Sequence, residues 1–335
     1  MSNKCPEYLI NETMFRIGQS FRYRECEQCG SVNLAEKVSG DTKLYPDNYY
    51  SFSVDPAKTF NSFLPRFLAT AMARSSLKGS WRFLWFISRY ATIREVRTLA
   101  SILLSISAAH AGLVNKRILD VGTGSGVLPF VLGLTNQCFT IGIDPFLVTE
   151  KQMKDFWLKR ANIQDITEKF DLILFNHSLE HMHDIEQSLA HATSLLEPGG
   201  TIIIRIPTVS SQAWDTYREN WFQLDAPRHT CIPSRRGLAQ LTSSCGLQIM
   251  KNYDDSTDTQ FWLSEAISKG LSTMDASTEY TSYLTNTHSR HKKRLMRREA
   301  RKNNSEHRGD QTVLILRWSN FYPDFAKAIK FVSAD

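Results

Sequence analysis

The chain has 335 residues, enough for one large α/β core with smaller attachments, and its 42% hydrophobic and 22% charged content excludes an intrinsically disordered protein. Forty basic against thirty-four acidic residues leave a formal charge of +6, too slight an excess to specify an anionic partner by itself. Six scattered cysteines imply no disulfide framework, the start Met1-Ser2-Asn3-Lys4-Cys5 lacks the apolar core of a signal peptide, and the most apolar stretch, Leu99 to Leu113, falls short of the roughly 20 apolar residues of a membrane span, so a cytoplasmic location is expected.

Residues 1–55 read as a small N-terminal module holding three of the six cysteines. Cys26-Glu27-Gln28-Cys29-Gly30 has the form of half a zinc knuckle, whereas a structural zinc normally takes four ligands, often from two such pairs. Upstream there is only Cys5, Tyr8 stands where its partner is expected, and no histidine precedes His110. Zinc here would need a carboxylate or water as fourth ligand; otherwise apolar packing holds the module. Residues 56–115 read as a helical cap or linker, with Trp81, Phe83, Leu84, Trp85, Phe86 and Tyr90 set among Arg74, Lys78, Arg82, Arg89, Arg94 and Arg97. A basic aromatic helix suits a membrane surface; the plainer reading is a helix that caps a pocket.

From Lys116 the pattern alternates strands with helices, and residues 116–320 form the main domain, with an insertion at about 252–310. Arg117–Val121, Phe139–Ile143, Phe156–Lys159, Phe170–Asn176 and Thr201–Ile206 are successive apolar strands, and Leu247–Met250 and Thr312–Trp318 are the sixth and seventh. Ile185, Leu189, Ala192, Leu195 and Leu196 fall at helical spacing before Glu197-Pro198-Gly199-Gly200, and a second helix runs from Ser234 to Cys245 before Gly246. Nearly continuous apolar strands between helices predict a buried parallel sheet in a doubly wound, Rossmann-like α/β fold.

The sharpest motif is Asp120-Val121-Gly122-Thr123-Gly124-Ser125-Gly126, between the first strand and a helix. Glycines permit a tight turn and let a ligand approach the backbone. Asp144 ends the next strand, where a carboxylate can accept from ribose hydroxyls. A dinucleotide loop spaces its glycines G-x-G-x-x-G for a pyrophosphate. This loop reads G-x-G-x-G and opens with an acid, poorly suited to a pyrophosphate but suited to a cationic amino-acid group. The pattern favours S-adenosylmethionine (SAM) over NAD.

Ile118-Leu119-Asp120-Val121-Gly122-Thr123-Gly124-Ser125-Gly126 resembles the first motif of class I SAM-dependent methyltransferases. Phe170-Asp171-Leu172-Ile173-Leu174 resembles their fourth-strand motif, and Leu195-Leu196-Glu197-Pro198-Gly199-Gly200 the turn before their fifth strand. A bacterial subgroup with a cysteine-bearing N-terminal segment is resembled in Tyr49-Tyr50-Ser51-Phe52, Asn176-His177-Ser178-Leu179-Glu180-His181-Met182, Leu224-Asp225-Ala226-Pro227-Arg228-His229 and Arg308-Gly309-Asp310-Gln311. The resemblance implies a seven-stranded sheet and a SAM site made by Asp120, Gly122, Thr123, Gly124, Gly126 and Asp144, with the adenine near Asn162 and Ile163 and the sulfonium near His177. It also implies a small-molecule acceptor, such as a sugar hydroxyl or a cell-surface glycan precursor.

A hydroxyl nucleophile benefits from a base, and histidine, with an unperturbed pKa of about 6.5, suits the role. His181 leads the candidates, followed by His177 and His229, with Glu180 as an orienting group or a base itself. His177 and His181 also stand at i and i+4, a spacing that can bind metal, but no third ligand lies nearby in sequence and no metal is expected there. Arg205 is expected to pair with a buried carboxylate. The basic run Arg290 to Lys302 could attract phosphates, as in an RNA methyltransferase. It lacks the interleaved aromatics that stack on bases, so a solvated helix face is expected and nucleic acid is not the expected partner. A non-catalytic SAM-binding scaffold on the same fold is the remaining alternative.

Overall fold

The computed structural model describes residues 5–36, 54–80, 94–109, 112–276 and 287–319. The Tyr49–Phe52 run and the aromatic segment from Trp81 to Tyr90 lie outside these residues.

The N-terminal strands β1 (Glu7–Asn11), β2 (Ser20–Glu25) and β3 (Val32–Leu34) form an antiparallel meander. Helices α1 (Pro56–Thr59), α2 (Phe63–Leu77) and α3 (Arg94–Ala109) follow. The main domain then runs β4 (Arg117–Val121), α4 (Val127–Gly133), β5 (Phe139–Ile143), β6 (Lys151–Gln152), β7 (Phe156–Lys159), β8 (Phe170–Asn176), α5 (Ile185–Ser194) and β9 (Leu196–Pro207). Beyond it come α6 (Gln212–Tyr217), β10 (Cys231–Ile232), α7 (Arg235–Ser244), β11 (Leu247–Asp254), α8 (Thr259–Ser268), α9 (Thr287–Ser305) and β12 (Gln311–Trp318).

The large sheet has the order β11-β12-β9-β8-β4-β5-β7-β6. Its seven principal strands are those expected from the apolar runs. The eighth, β6, is a two-residue hairpin partner of β7, too short for any pattern to reveal. Neighbours from β7 to β9 pair in parallel, as expected for a doubly wound sheet, and β12 runs antiparallel between β9 and β11. Strand alternation sends side chains to both faces. Ile118, Leu172, Leu174, Ile203, Val313 and Ile315 meet α2, α3 and α4 on one side. Leu119, Ile173, Phe175, Ile202, Ile204 and Leu316 meet α5 and α7 on the other.

The helices present matching stripes. In α2, Ala69, Met72, Ala73, Ser76 and Leu77 are buried at i, i+3, i+4, i+7 and i+8. Ser234 caps α7 by accepting from Gly237 N at 2.9 Å. Asp184 caps α5 through Gln187 N at 2.8 Å, but that helix stops at Ser194. Leu196, expected in the helix, instead pairs with Phe170, and the register resumes at Leu172 opposite Thr201, so Glu197 to Gly200 loop out.

Two attachments are placed by the topology. Because β11 and β12 are antiparallel neighbours, the segment joining them leaves and returns at the carboxyl end of the parallel strands. The N-terminal strands do not stand apart: β3 pairs with β10, so a four-stranded sheet joins the two ends of the chain's first 232 residues. Its apolar side, Ile10, Phe21, Tyr23 and Val32, packs on Trp214, Trp221, Leu224, Ala226 and Ile232. Helix α9 carries the basic run. Lys292 pairs with Glu265 of α8 and Arg297 with Asp258 at 3.3 Å, while Arg294, Arg298, Arg301 and Lys302 are exposed. No helix among the described residues is long and apolar enough to cross a membrane.

Candidate functional site

In an open α/β sheet the ligand crevice lies beyond the carboxyl ends of the strands, where the strand order reverses. That reversal is at β4, flanked by β5 and β8. The loop leaving β4 turns through left-handed backbone at Gly122 (φ 72), Gly124 (φ 55) and Gly126 (φ 78). A Cβ on Gly122 would stand 2.3 Å from Ser178 Cβ, and one on Gly126 would stand 2.5 Å from Leu158 Cδ1. Glycine is therefore required both for the turn and for the loop's approach to β7 and the segment after β8.

The carboxylate of Asp144 anchors this loop. Its Oδ2 accepts from Gly124 N at 3.0 Å and its Oδ1 from Phe146 N at 2.9 Å. Burial pushes its pKa up, opposed by these two backbone hydrogen bonds. Asp120 has a different setting from the one expected. It is 4% exposed, it is absent from the cavity wall, and its Oδ2 accepts from Thr123 Oγ1 at 2.6 Å. Burial raises its pKa to about 6. It braces the loop from beneath.

The cavity over these groups has a volume of about 1020 Å³, at the upper end of ordinary ligand pockets. Gly122, Thr123, Gly124, Asp144, Asn162, Ile163, His177 and His181 all line it, whereas Gly126, Glu180 and His229 do not. Sequence reasoning did not single out Gln223, Gln260, Asp310 or Gln311 as wall residues, which come from the segment after β9, from α8 and from the start of β12. Only their membership of quoted motifs or of the insertion drew attention to three of them. Gln260 is 1% exposed and its Oε1 has no hydrogen-bond partner; Ser178 Oγ, also in the wall, has none either. Asp310 accepts from Trp221 Nε1 at 3.2 Å, and burial raises its pKa to about 6. Arg205 donates from Nε to Asp255 Oδ2 at 2.7 Å and also lines the cavity.

The candidate bases cluster after β8. His177 has left-handed backbone (φ 53), unusual for a residue with a side chain and a form of strain found at functional sites. Its Nδ1 lies 3.4 Å from Oε1 of Glu180, which is fully buried. The facing imidazoles, above all that of His177, hold the Glu180 pKa down to about 2 against the opposing cost of burial. His181 is driven the other way, to about 4, first by burial and then by the neighbouring His229, so its ring is neutral near pH 7. His181 Nδ1 meets the Arg228 carbonyl at 3.0 Å, and His229 Nδ1 meets the Gln223 carbonyl at 2.6 Å. The Arg228 guanidinium, side chain 0% exposed, donates at 2.6 Å to both Glu12 Oε1 and Asp225 Oδ1. Tyr23 Oη donates to the His229 carbonyl at 2.7 Å. The N-terminal sheet thus holds the loop that carries His229.

Among the described residues no group of three ligand atoms within 4.8 Å of one another includes a cysteine. Cys231, beside β3, has its pKa pushed up to about 12 by burial, with Cys29 and Cys26 as lesser causes.

A family model described as a methyltransferase domain matches residues 90–252. The ubiquinone biosynthesis O-methyltransferase of Klebsiella pneumoniae (strain 342) is 27% identical over 121 residues, covering 32% of this chain and 50% of that protein. The chain thus spans about half the length of the curated relatives it matches. Among solved structures, the cyclopropane synthase MmaA2 from Mycobacterium tuberculosis aligns with TM-score 0.46 at 14% identity, covering 69% of this chain and 87% of that one. Coclaurine N-methyltransferase bound to N-methylheliamine and SAH aligns with TM-score 0.41 at 17% identity, covering 68% and 72%. Residues 90–252 thus match a methyltransferase domain, and the strands they hold lie in a Rossmann-like sheet.

Proposed function

We propose that this chain, whose premise is its methyltransferase domain, transfers the SAM methyl group to a hydroxyl of a small acceptor, with a polyhydroxylated molecule such as a sugar as the favoured class, in the cytoplasm. The observation that carries the reading is one cavity shared by the glycine loop, Asp144 and His177. The cradle at Gly122 has no room for a side chain, and Asp144 stands at its rim as a ribose acceptor. Thr123 and Gly124 complete the loop side of the cofactor site, and Asn162 and Ile163 its adenine side.

The cofactor supplies an activated methyl sulfonium; the residues here must align the acceptor, exclude water and take a proton. We assign the base to His177. It lines the cavity, and Oε1 of the buried Glu180 lies 3.4 Å from its Nδ1, near enough to orient the ring by charge so that Nε2 is the nitrogen that accepts from the acceptor hydroxyl. His181 is the weaker base because its neutral form is strongly preferred, to about pH 4. His229 stands behind the wall. Ser178 Oγ and Gln260 Oε1, buried and unpartnered, are groups an acceptor's hydroxyls would satisfy. The distant similarity to an O-methyltransferase agrees with oxygen as the methylated atom.

The test is calorimetric titration of the protein with SAM, S-adenosylhomocysteine and NAD, repeated on Asp144→Ala. Micromolar binding of both adenosyl ligands, weakened about tenfold or more by the substitution and absent for NAD, is expected from the loss of the ribose acceptor and of the two hydrogen bonds by which Asp144 anchors the loop. Folded protein that binds neither adenosyl ligand refutes the reading.

A further inference from the structure

Behind the cavity wall, Glu180, His181 and His229 offer a carboxylate oxygen and two imidazole nitrogens that lie within 4.8 Å of one another. The local i, i+4 spacing of His177 and His181 pointed elsewhere; the third group arrives from the loop before β10. Each histidine in the cluster directs Nδ1 at a backbone carbonyl, Arg228 for His181 and Gln223 for His229. A carbonyl only accepts, so each Nδ1 carries the hydrogen and each Nε2 is the unprotonated nitrogen of the neutral ring. Holding the remote nitrogen on a carbonyl is how proteins fix metal-binding imidazoles.

Glu180 supplies the second observation. It is 0% exposed, and neither carboxylate oxygen has a hydrogen-bond partner. The nearest nitrogens facing Oε1 are His177 Nδ1 at 3.4 Å and His229 Nε2 at 3.9 Å. Buried carboxylates without donors are rare in folded proteins because the desolvation goes uncompensated. Protonating His229 would place a positive charge nearby but make no hydrogen bond at that separation. A cation among the three groups satisfies the carboxylate that the protein leaves without a donor.

We propose that Glu180, His181 and His229 bind one divalent first-row transition cation. Two imidazoles and a carboxylate suit Zn²⁺, Fe²⁺ or Co²⁺ rather than Mg²⁺ or Ca²⁺, which prefer all-oxygen shells. Ligand atoms about 2.0–2.2 Å from such an ion require only a modest closure of the present cluster. The ion ties the turn after β8, which carries Glu180 and His181, to the loop carrying His229. It therefore fixes one wall of the cavity, to which His181 belongs.

The experiment titrates the full chain, stripped with a chelator, with Co²⁺ alone while its visible absorption is followed. Glu180→Gln, His229→Gln and the double variant Cys26→Ser/Cys29→Ser are run beside it. We expect one Co²⁺ per chain with micromolar or tighter affinity, unchanged in the cysteine variant and weakened about 100-fold or more in each ligand variant. The spectrum of the unmutated protein should lack a thiolate-to-cobalt charge-transfer band, a readout that stands even where a ligand variant fails to fold. Absence of saturable Co²⁺ binding overturns the proposal, as does a thiolate band or full-strength binding by folded Glu180→Gln. Neither SAM nor an acceptor is present, so this result is separate from the success or failure of the methyl-transfer reading.

Discussion

Gly122→Ala tests the loop geometry most directly, because the structure separates its two costs. At φ 72 an L-residue sits in left-handed backbone, which costs alanine about 1–2 kcal/mol relative to glycine. The added Cβ would also stand 2.3 Å from Ser178 Cβ, 3.2 Å from its Oγ and 3.6 Å from its Cα. Carbon atoms pack at about 3.5–4.0 Å, so the backbone of Ser178 must retreat by more than an ångström, an overpacking cost of about 1–3 kcal/mol. The sum is about 2–5 kcal/mol. Ser178→Gly in the same chain removes the two closest atoms and leaves Cα at ordinary contact distance, so only the backbone cost remains. Ser178 Oγ is buried without a partner, so its loss sacrifices no hydrogen bond. Urea unfolding of the wild type, both single variants and the double variant measures the coupling, expected at about 1–3 kcal/mol in favour of the double variant. S-adenosylhomocysteine affinity, measured in parallel, should follow the same rescue. A Gly122→Ala protein within about 0.5 kcal/mol of wild type, or strictly additive single effects, refutes the close approach of the loop to Ser178.

Three further outcomes are expected. Asp310 has a folded pKa raised from 3.8 to about 6, so its contribution is complete below pH 3.8 and is lost as pH rises through about 6; Asp310→Asn, which keeps an acceptor for Trp221, should gain on wild type by at most about 3 kcal/mol between pH 4 and 6, and a pH-independent difference in unfolding free energy would falsify this. His177→Gln should lower kcat by about 10²–10⁴-fold while leaving SAM affinity within a factor of a few, measured by turnover and calorimetry; equal losses in both would assign it to binding rather than proton transfer. Arg228→Met leaves the buried carboxylates of Glu12 and Asp225 without their guanidinium and should cost about 3–5 kcal/mol in urea unfolding, partly recovered by adding Glu12→Gln; a neutral Arg228→Met would show that the buried pair is not organising the loop.

The sheet was legible because its central strands are buried on both faces. Phe170-Asp171-Leu172-Ile173-Leu174-Phe175 reads as a strand without help from its surroundings. The direction of β12 was not legible, since an apolar run is the same in either sense and only its placement between β9 and β11 decides it. The same limit applied to β10, whose two residues find β3 about 200 positions away. The left-handed turn of the glycine loop and the strand-end position of Asp144 were readable because backbone conformation and strand ends are local properties. The setting of Asp120 was not, because whether its carboxyl faced a ligand or Thr123 depends on a side-chain direction no spacing encodes. Likewise His177 was one histidine among several until Glu180 came to face its Nδ1.

The additions at the two ends of the domain bear on the same wall for a physical reason. The loop from Trp221 to Thr230 carries apolar residues that pack on the N-terminal sheet and a guanidinium that needs compensation away from water. Asp225 provides one carboxylate from within the loop, but Glu12 provides the other from beyond β1, where backbone N–H groups of Met14, Phe15 and Ile17 also hold it. Without residues 5–36, the loop would expose Trp221, Leu224 and Ala226 and leave Arg228 with half its charge partners. The same loop delivers His229 to Glu180 and places Gln223 in the cavity wall. On the opposite side, the antiparallel return of β12 keeps α8 and Asp310 at the carboxyl end of the sheet, where Trp221 donates to Asp310 across the two attachments. The glycine loop and Asp144 stand at the ends of β4 and β5 in the sheet itself. On the proposed function, the walls that the N-terminal strands and the insertion hold through one loop face the acceptor, so differences in acceptor among chains with this sheet should track those attachments rather than the strands.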